Sequence, residues 1–253
     1  MALRSKKTFG GLALLLASSI PIAARTEFLY EARHDHWRKS CIGSLTITSD
    51  SISFQERSPK KKRQTPHDFQ WRFADIQQVL MEPHRVSVLT YEDVRWKLGA
   101  DRQQTFELLG DESFSNAYAL LKDHLDQRFV AAIPDDGIKP LWRIAVKHEL
   151  GMKGSQGVLA IGADRIVYRT ESEVDARTWR YADIENISME GPFQLTLTTF
   201  EHARTHYGNR KSFNFQLKEV LPEARFNELW RRLEEGRSHG IPTIQPTPKD
   251  GNR

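Results

Sequence analysis

The feature that most constrains the fold of this chain is an internal repeat. Residues 71–76 read Trp-Arg-Phe-Ala-Asp-Ile and residues 179–184 read Trp-Arg-Tyr-Ala-Asp-Ile, so five of six positions are identical at an offset of 108. A long repeat of this kind predicts two related structural units. The length of 253 residues is sufficient for them, because domains commonly contain about 100–150 residues.

Further blocks repeat in the same order. The pattern Gly-x-Leu-x-Ile occurs at 43–47 and 157–161, and Asp-x-Ile-x-aromatic follows at 50–54 and 164–168, both at an offset of 114. Apolar and polar residues alternate inside these blocks, which is the period of a half-buried strand. The offset changes only between blocks, as expected when insertions fall in loops. The blocks therefore predict antiparallel strands joined by turns.

Each copy ends in a helical pattern. In the first copy, apolar residues recur at helical spacing from Phe114 to Leu125. In the second copy they run from Phe226 to Leu233, after Pro222, and Gly236 is the predicted end of the helix. Each unit is therefore expected to consist of several strands followed by one helix.

The N-terminal segment has the features of a secretory signal peptide. Three basic residues lie within the first seven positions, and residues 8–24 form an uncharged stretch that ends in two alanines. We expect cleavage after Ala24 and a periplasmic or secreted location. The alternative is a membrane anchor formed by residues 8–24, although 17 residues are close to the lower limit for a span.

Charge and cysteine content exclude some classes of protein. The chain has 37 Lys and Arg and 33 Asp and Glu, and three of the basic residues lie in the predicted signal, so the mature net charge is 34 minus 33, or +1. A nucleic-acid binder would need a clustered basic face, and we expect no nucleic-acid partner. Cys41 is the single cysteine, so no internal disulfide can form.

The order of the repeated blocks resembles the pleckstrin-homology-like superfold, in particular its bacterial and GRAM-type branches. The resemblance covers residues 28–127 and 141–236. It implies a mainly β protein with some α structure, made of two tandem bent β-barrels, each of about seven antiparallel strands capped by a C-terminal helix. It also implies a non-catalytic binding or scaffold protein, whose partner is a protein, peptide or lipid, with the two copies packed as a pseudo-symmetric pair.

The predicted organisation follows from the repeat and its flanks. The remaining segments are poor in periodic apolar residues and rich in proline, glycine and polar residues. In chain order we expect a signal peptide (1–24), a first domain (28–127), a linker (128–140), a second domain (141–236) and a flexible tail (237–253).

Three residues near the start of the first copy are candidate metal ligands. His34 and His36 would share one face of a strand, and Cys41 could approach them across a hairpin, which is a ligand set typical of zinc or copper. In the alternative interpretation, His34 and its counterpart His148 are structural histidines that bind backbone groups. This second interpretation predicts no metal and no cofactor.

A basic run in the first copy is the other candidate site. Lys60, Lys61, Lys62 and Arg63 could bind anionic lipid headgroups or phosphates, which would bring the protein into contact with a membrane surface. Alternatively the run is a solvated loop, because the second copy has acidic residues at 171–175 instead. The chain contains no glycine-rich phosphate loop, serine nucleophile elbow or His-Glu-x-x-His motif, so we expect no catalytic residues and no enzyme.

Overall fold

Strands dominate the structure. The computed structural model describes residues 27–35, 40–57, 66–94, 99–150, 153–172, 175–203 and 210–238. The first half contains β1 (Phe28–Asp35), β2 (Ser40–Ile47), β3 (Ser51–Glu56), β4 (Phe69–Arg72), β5 (Ile76–Glu82), β6 (Arg85–Asp93), β7 (Asp101–Leu108) and α1 (Tyr118–His124), followed by β8 (Phe129–Ala131). The second half contains β9 (Trp142–Leu150), β10 (Lys153–Ile161), β11 (Arg165–Thr170), β12 (Arg177–Arg180), β13 (Ile184–Met189), β14 (Gln194–His202), β15 (Arg210–Leu217) and α2 (Glu223–Ser238).

All the strands belong to one sheet with the order β13-β14-β15-β9-β10-β11-β12-β8-β5-β6-β7-β1-β2-β3-β4. The strands on the two sides of β8 have the same arrangement. In the second half, β13-β14-β15 are followed by β9-β10-β11-β12, and in the first half, β5-β6-β7 are followed by β1-β2-β3-β4. The two halves are therefore equivalent strand by strand, with β1 matching β9 and β4 matching β12.

The predicted pair of separate barrels, each capped by a helix, is wrong. Strand β8 lies inside the predicted linker 128–140 and joins the halves into a single 15-stranded mixed sheet. It pairs in parallel with β5, where Phe129 faces Val79, and antiparallel with β12, where Ala131 faces Thr178. Its three residues are buried, but three residues are too few to show a strand period in the sequence. The fold is β-rich, with one continuous sheet.

The two helices differ from their sequence patterns for separate reasons. In the first half, the apolar stripe forms a 3-10 turn at Phe114–Ala117 and then α1, which has only seven residues. In the second half, Gly236 lies within α2. A Cβ atom at Gly236 would come within 2.7 Å of the Tyr181 Cβ. The glycine therefore permits close packing of α2 against the 3-10 turn that begins at Tyr181, and it does not end the helix.

The repeated Trp-Arg-aromatic-Ala-Asp-Ile block forms the corner of each half. A 3-10 turn follows β4 at Phe73–Asp75 and follows β12 at Tyr181–Asp183. The aromatic residues at the first and third positions of both blocks are buried, as their alternation predicts. In the second half, the Asp183 carboxylate accepts a hydrogen bond from the Arg180 backbone N–H at 2.9 Å. The block has a structural role, because it turns the chain between two strands.

Each half has its own hydrophobic core, and polar contacts connect the halves. The Gln78 amide donates to the Phe200 carbonyl at 3.2 Å and accepts from the His202 N–H at 3.1 Å. The Arg180 guanidinium donates to the Lys122 and Asp126 carbonyls at the end of the first half. A buried side chain that satisfies backbone groups of another unit fixes their relative position. No helix in the described ranges is both long enough and apolar enough to cross a membrane.

Candidate metal centre

Three side chains with metal-binding atoms converge at one end of the first half. Cys41 lies at the start of β2, Glu56 at the end of β3, and His67 two residues before β4 begins. One ligand atom from each lies within 4.8 Å of the other two. The convergence follows from strand register, because the β2–β3 hairpin pairs Gly43 with Glu56 and so brings the open ends of both strands together.

His34 is the fourth donor next to this cluster. It lies directly opposite Cys41 in the β1–β2 pair, and its Nδ1 atom is 3.8 Å from the Cys41 Sγ atom. Its other ring nitrogen, Nε2, is 2.7 Å from the Gln104 Oε1 atom on β7. An amide oxygen can only accept, so Nε2 carries the proton and Nδ1 directs a lone pair toward the sulfur. This arrangement is how proteins commonly orient a histidine toward a metal.

The surroundings of the cluster are apolar on one side and polar on the other. The His34 ring is 1% exposed and lies 5.0 Å from the Phe106 ring and 5.1 Å from the Phe69 ring, measured between centroids. Burial, and then the negative charge of Glu56, raise the pKa of the Cys41 thiol to about 11. The polar side is formed by Glu56 and His67, whose side chains are 10% and 43% exposed.

Backbone contacts hold the polar side of the cluster in place. The Glu56 Oε2 atom accepts from the His67 N–H at 3.0 Å and lies 3.7 Å from the His67 Nδ1 atom. In return, the Asp68 carboxylate accepts from the Glu56 N–H at 3.2 Å. These reciprocal bonds connect the end of β3 to the residues before β4, so the carboxylate and the imidazole are already close to each other.

Two of the donor pairs lie close to the spacing expected around a tetrahedral transition-metal ion. With a Zn–S distance of about 2.3 Å and a Zn–N distance of about 2.0 Å, the donors of a tetrahedral site lie about 3.3–3.5 Å apart. The measured distances are 3.8 Å from the Cys41 Sγ to the His34 Nδ1 and 3.7 Å from the Glu56 Oε2 to the His67 Nδ1. Thiolate and imidazole together favour zinc or a similar ion over calcium or magnesium.

The second half has the same backbone positions but different chemistry. His148 lies opposite Ser155, and Gly157 lies opposite Thr170, in the registers that His34–Cys41 and Gly43–Glu56 have in the first half. The Ser155 and Thr170 hydroxyls are 2.5 Å apart. Serine and threonine therefore stand where the first half has its thiol and carboxylate.

Positive charge also distinguishes the second half. Arg177 is the first residue of β12, where the matching strand β4 begins with Phe69. Arg177 and Lys211 both pair with the buried Glu201 carboxylate. Burial, and to a smaller extent the charges of Lys211 and Arg177, lower the pKa of the His148 imidazole. Two cations near the ring disfavour a metal ion there. Among the residues that the structure describes, the candidate centre therefore occurs in the first half alone.

Of the three candidate metal ligands named from the sequence, the structure brings His34 and Cys41 together. The His34 Nε2 atom is 2.7 Å from the Gln104 Oε1 atom. His36 and the basic residues Lys60, Lys61, Lys62 and Arg63 lie outside the described residues.

Two residues of the centre were missed. Glu56 had a sequence signal, because it continues the inward-facing alternation of Ile52 and Phe54. An acidic residue at such a position needs a partner when it is buried. His67 had no such signal, because it lies outside the repeated blocks.

Comparison with known proteins does not place the chain in a family. No protein-family profile matches it, and no curated protein is similar in sequence. Among solved structures, it is similar to the C-terminal domain of an unknown protein from Leishmania infantum, with 12% identity and a TM-score of 0.30, over 39% of this chain and 86% of that one. It is also similar to a chain of the Spt16D Pob3N heterodimer, with 10% identity and a TM-score of 0.28, over 70% of this chain and 84% of that one.

Proposed function

We propose that the protein is a non-catalytic metal-binding protein whose first half holds one divalent transition-metal ion. The observation that carries the proposal is the meeting of the Cys41, Glu56 and His67 donor atoms within 4.8 Å of one another. His34 completes the set through the nitrogen that faces the sulfur. The ligands are thus one thiolate, two imidazoles and one carboxylate.

The number of donors supports binding without catalysis. Catalytic zinc sites keep one coordination position for water or substrate, whereas structural sites are filled by four protein ligands. Four donors from His34, Cys41, Glu56 and His67 occupy all positions of a tetrahedral ion. This function departs from the expectation, drawn from the sequence alone, that the chain holds no metal. Export of the chain, a protein, peptide or lipid partner, and contact of the basic run with a membrane stay predictions.

Cobalt titration tests the proposal. The purified full chain, stripped of metal with a chelator and then freed of the chelator, is titrated with Co²⁺ under reducing conditions. We expect one ion per chain and a thiolate-to-cobalt charge-transfer band, which Zn²⁺ then abolishes. Cys41→Ser should remove the band and weaken binding by more than about 100-fold, since loss of an outer-shell partner alone costs about 10–100-fold.

The second half supplies the matched control. Ser155→Ala changes the residue that matches Cys41 in register and should leave both the band and the stoichiometry unchanged. A stoichiometry near zero for the wild-type chain, or equal binding by the Cys41→Ser variant, would contradict the proposal.

A further inference from the structure

We infer that the bound ion holds the edge strand β4 on the sheet, an inference that rests on the proposed metal site. Strand β4 stands at one end of the sheet order and, within the described residues, pairs with β3 alone. Its counterpart β12 pairs with β11 on one side and with β8 on the other. Strand β12 is therefore paired on both sides, whereas its counterpart β4 is paired on one side.

The core of the first half depends on β4. The strand has only four residues, and two of them, Phe69 and Trp71, stack on each other at 5.2 Å. Trp71 is buried and its ring lies 6.2 Å from that of Phe106 in the core. Detachment of β4 would expose these aromatic rings together with an unpaired edge of β3. Exposed edges of this kind pair with other chains, so proteins usually protect them.

The metal centre is positioned to prevent that detachment. Three of its ligands come from β2 (Cys41), β3 (Glu56) and the residues immediately before β4 (His67). The fourth, His34 on β1, is the neighbour of Cys41, with its Nδ1 atom 3.8 Å from the Cys41 Sγ atom. An ion bound by all four would connect four consecutive strands at one end of the sheet. Because such a site exists only in the folded state, the free energy of binding stabilises the fold.

The second half secures its equivalent strand by other means. Arg177 at the start of β12 forms a buried ion pair with Glu201, and Thr178 donates from its hydroxyl to the Ile133 carbonyl at 2.7 Å. These contacts and the β8 pairing hold β12 in place in the second half. The different chemistry of the two halves thus matches the different positions of β4 and β12 in the sheet.

Hydrogen exchange measured by mass spectrometry tests the inference. The metal-stripped full chain is compared with the chain at a Zn²⁺ concentration 100 times the dissociation constant, with Mg²⁺ as the control ion. Exchange in the peptide covering Phe69–Arg72 should slow by up to about 100-fold, because opening then requires release of the ion. The peptide covering Arg177–Arg180 should not change.

Variants separate this inference from the proposed function. His67→Asn changes a ligand whose side chain is 43% exposed, so the variant should fold, and it should lose the Zn²⁺-dependent protection of β4. Cys41→Ser should lose it as well. Zn²⁺ binding at one ion per chain with no change in β4 exchange would overturn the inference and leave the metal site intact. Absence of binding would overturn the proposed function itself.

Discussion

The Ser155 hydroxyl lies 2.5 Å from the Thr170 hydroxyl, in the register that Cys41 and Glu56 occupy in the first half. The same backbone frame thus carries a hydroxyl pair in one half and a thiol and carboxylate in the other. Hydroxyls can donate and accept, so they satisfy each other without an ion. The Cys41 thiol can lose its proton to a bound metal ion, and the resulting thiolate and the Glu56 carboxylate would then both serve as ligands.

The second-half network also includes the hydroxyl of Tyr168, whose counterpart in the first half is Phe54. This hydroxyl donates to the Ser155 carbonyl at 2.7 Å, and Tyr168 is fully buried. Tyr168→Phe should lower the free energy of unfolding by about 1 kcal/mol, because the buried carbonyl loses its side-chain donor. Urea unfolding measures the change. Tyr91→Phe, at a ring that is 61% exposed, is the control and should change the free energy of unfolding by no more than about 0.5 kcal/mol. Equal effects of the two changes would show that the Tyr168 hydroxyl does not stabilise the second half through this hydrogen bond.

The repeated glycine of the Gly-x-Leu-x-Ile pattern has a steric cause that can be tested. A Cβ atom on Gly157 would lie 2.1 Å from the Arg169 carbonyl oxygen and 2.7 Å from the Tyr168 ring. Gly157→Ala should therefore cost about 3 kcal/mol of stability, since the neighbouring strand must move. Gly191→Ala is the comparison, because Gly191 has a φ of +73° and nothing within 4 Å of the added carbon. For Gly191→Ala we expect a cost of only about 1 kcal/mol, from backbone strain. Thermal unfolding measures both variants. A cost for Gly157→Ala no larger than that for Gly191→Ala would disprove the close approach of Gly157 to the Arg169 carbonyl.

Acid should destabilise the protein through His148. Burial is the main cause that lowers the pKa of this imidazole from 6.5 to about 4; Lys211 and Arg177 lower it further, while Asp175 and Glu201 act in the opposite direction. The unfolded chain therefore binds a proton at a higher pH than the folded chain. Stability is complete above pH 6.5 and falls as the pH drops toward 4, by about 3 kcal/mol from this residue.

Comparison with His148→Gln isolates that contribution. The variant cannot take up the proton, so its free energy of unfolding should depend less steeply on pH between 6.5 and 4. Urea unfolding at a series of pH values measures both proteins. Parallel curves for the two proteins would show that His148 does not titrate differently in the folded state.

The contact between Gln78 and strand β14 should determine how the halves unfold. Gln78→Leu keeps the size of the side chain but leaves the Phe200 carbonyl and the His202 N–H without this partner. We expect a loss of about 2 kcal/mol, because two partly buried backbone groups lose a hydrogen bond. Calorimetry should show a broader unfolding transition. Gln103→Leu, at an exposed position on β7, should leave the transition unchanged; a single sharp transition in both variants would argue against coupling through Gln78.

Much of the local structure was predictable because it depends on neighbours in the chain. Alternation placed Leu45, Ile47, Ile52 and Phe54 on one buried face, and all four are less than 2% exposed. In the repeated Trp-Arg-aromatic-Ala-Asp-Ile block, the aromatic residues alternate with polar ones, and all four aromatics are buried. His34 and Cys41 could be paired from sequence because a single hairpin separates them.

What the sequence determined by itself was therefore the position of most strands, the corners between them and the proximity of His34 and Cys41. The tertiary structure alone decided that β8 joins the halves into one sheet, because pairing between distant strands depends on buried edges that no local period reveals. It also decided that Glu56 and His67 meet Cys41. Their ligand atoms come together only when β3 and the residues before β4 fold against β2. No repeating pattern of apolar and polar residues between these positions indicates that contact.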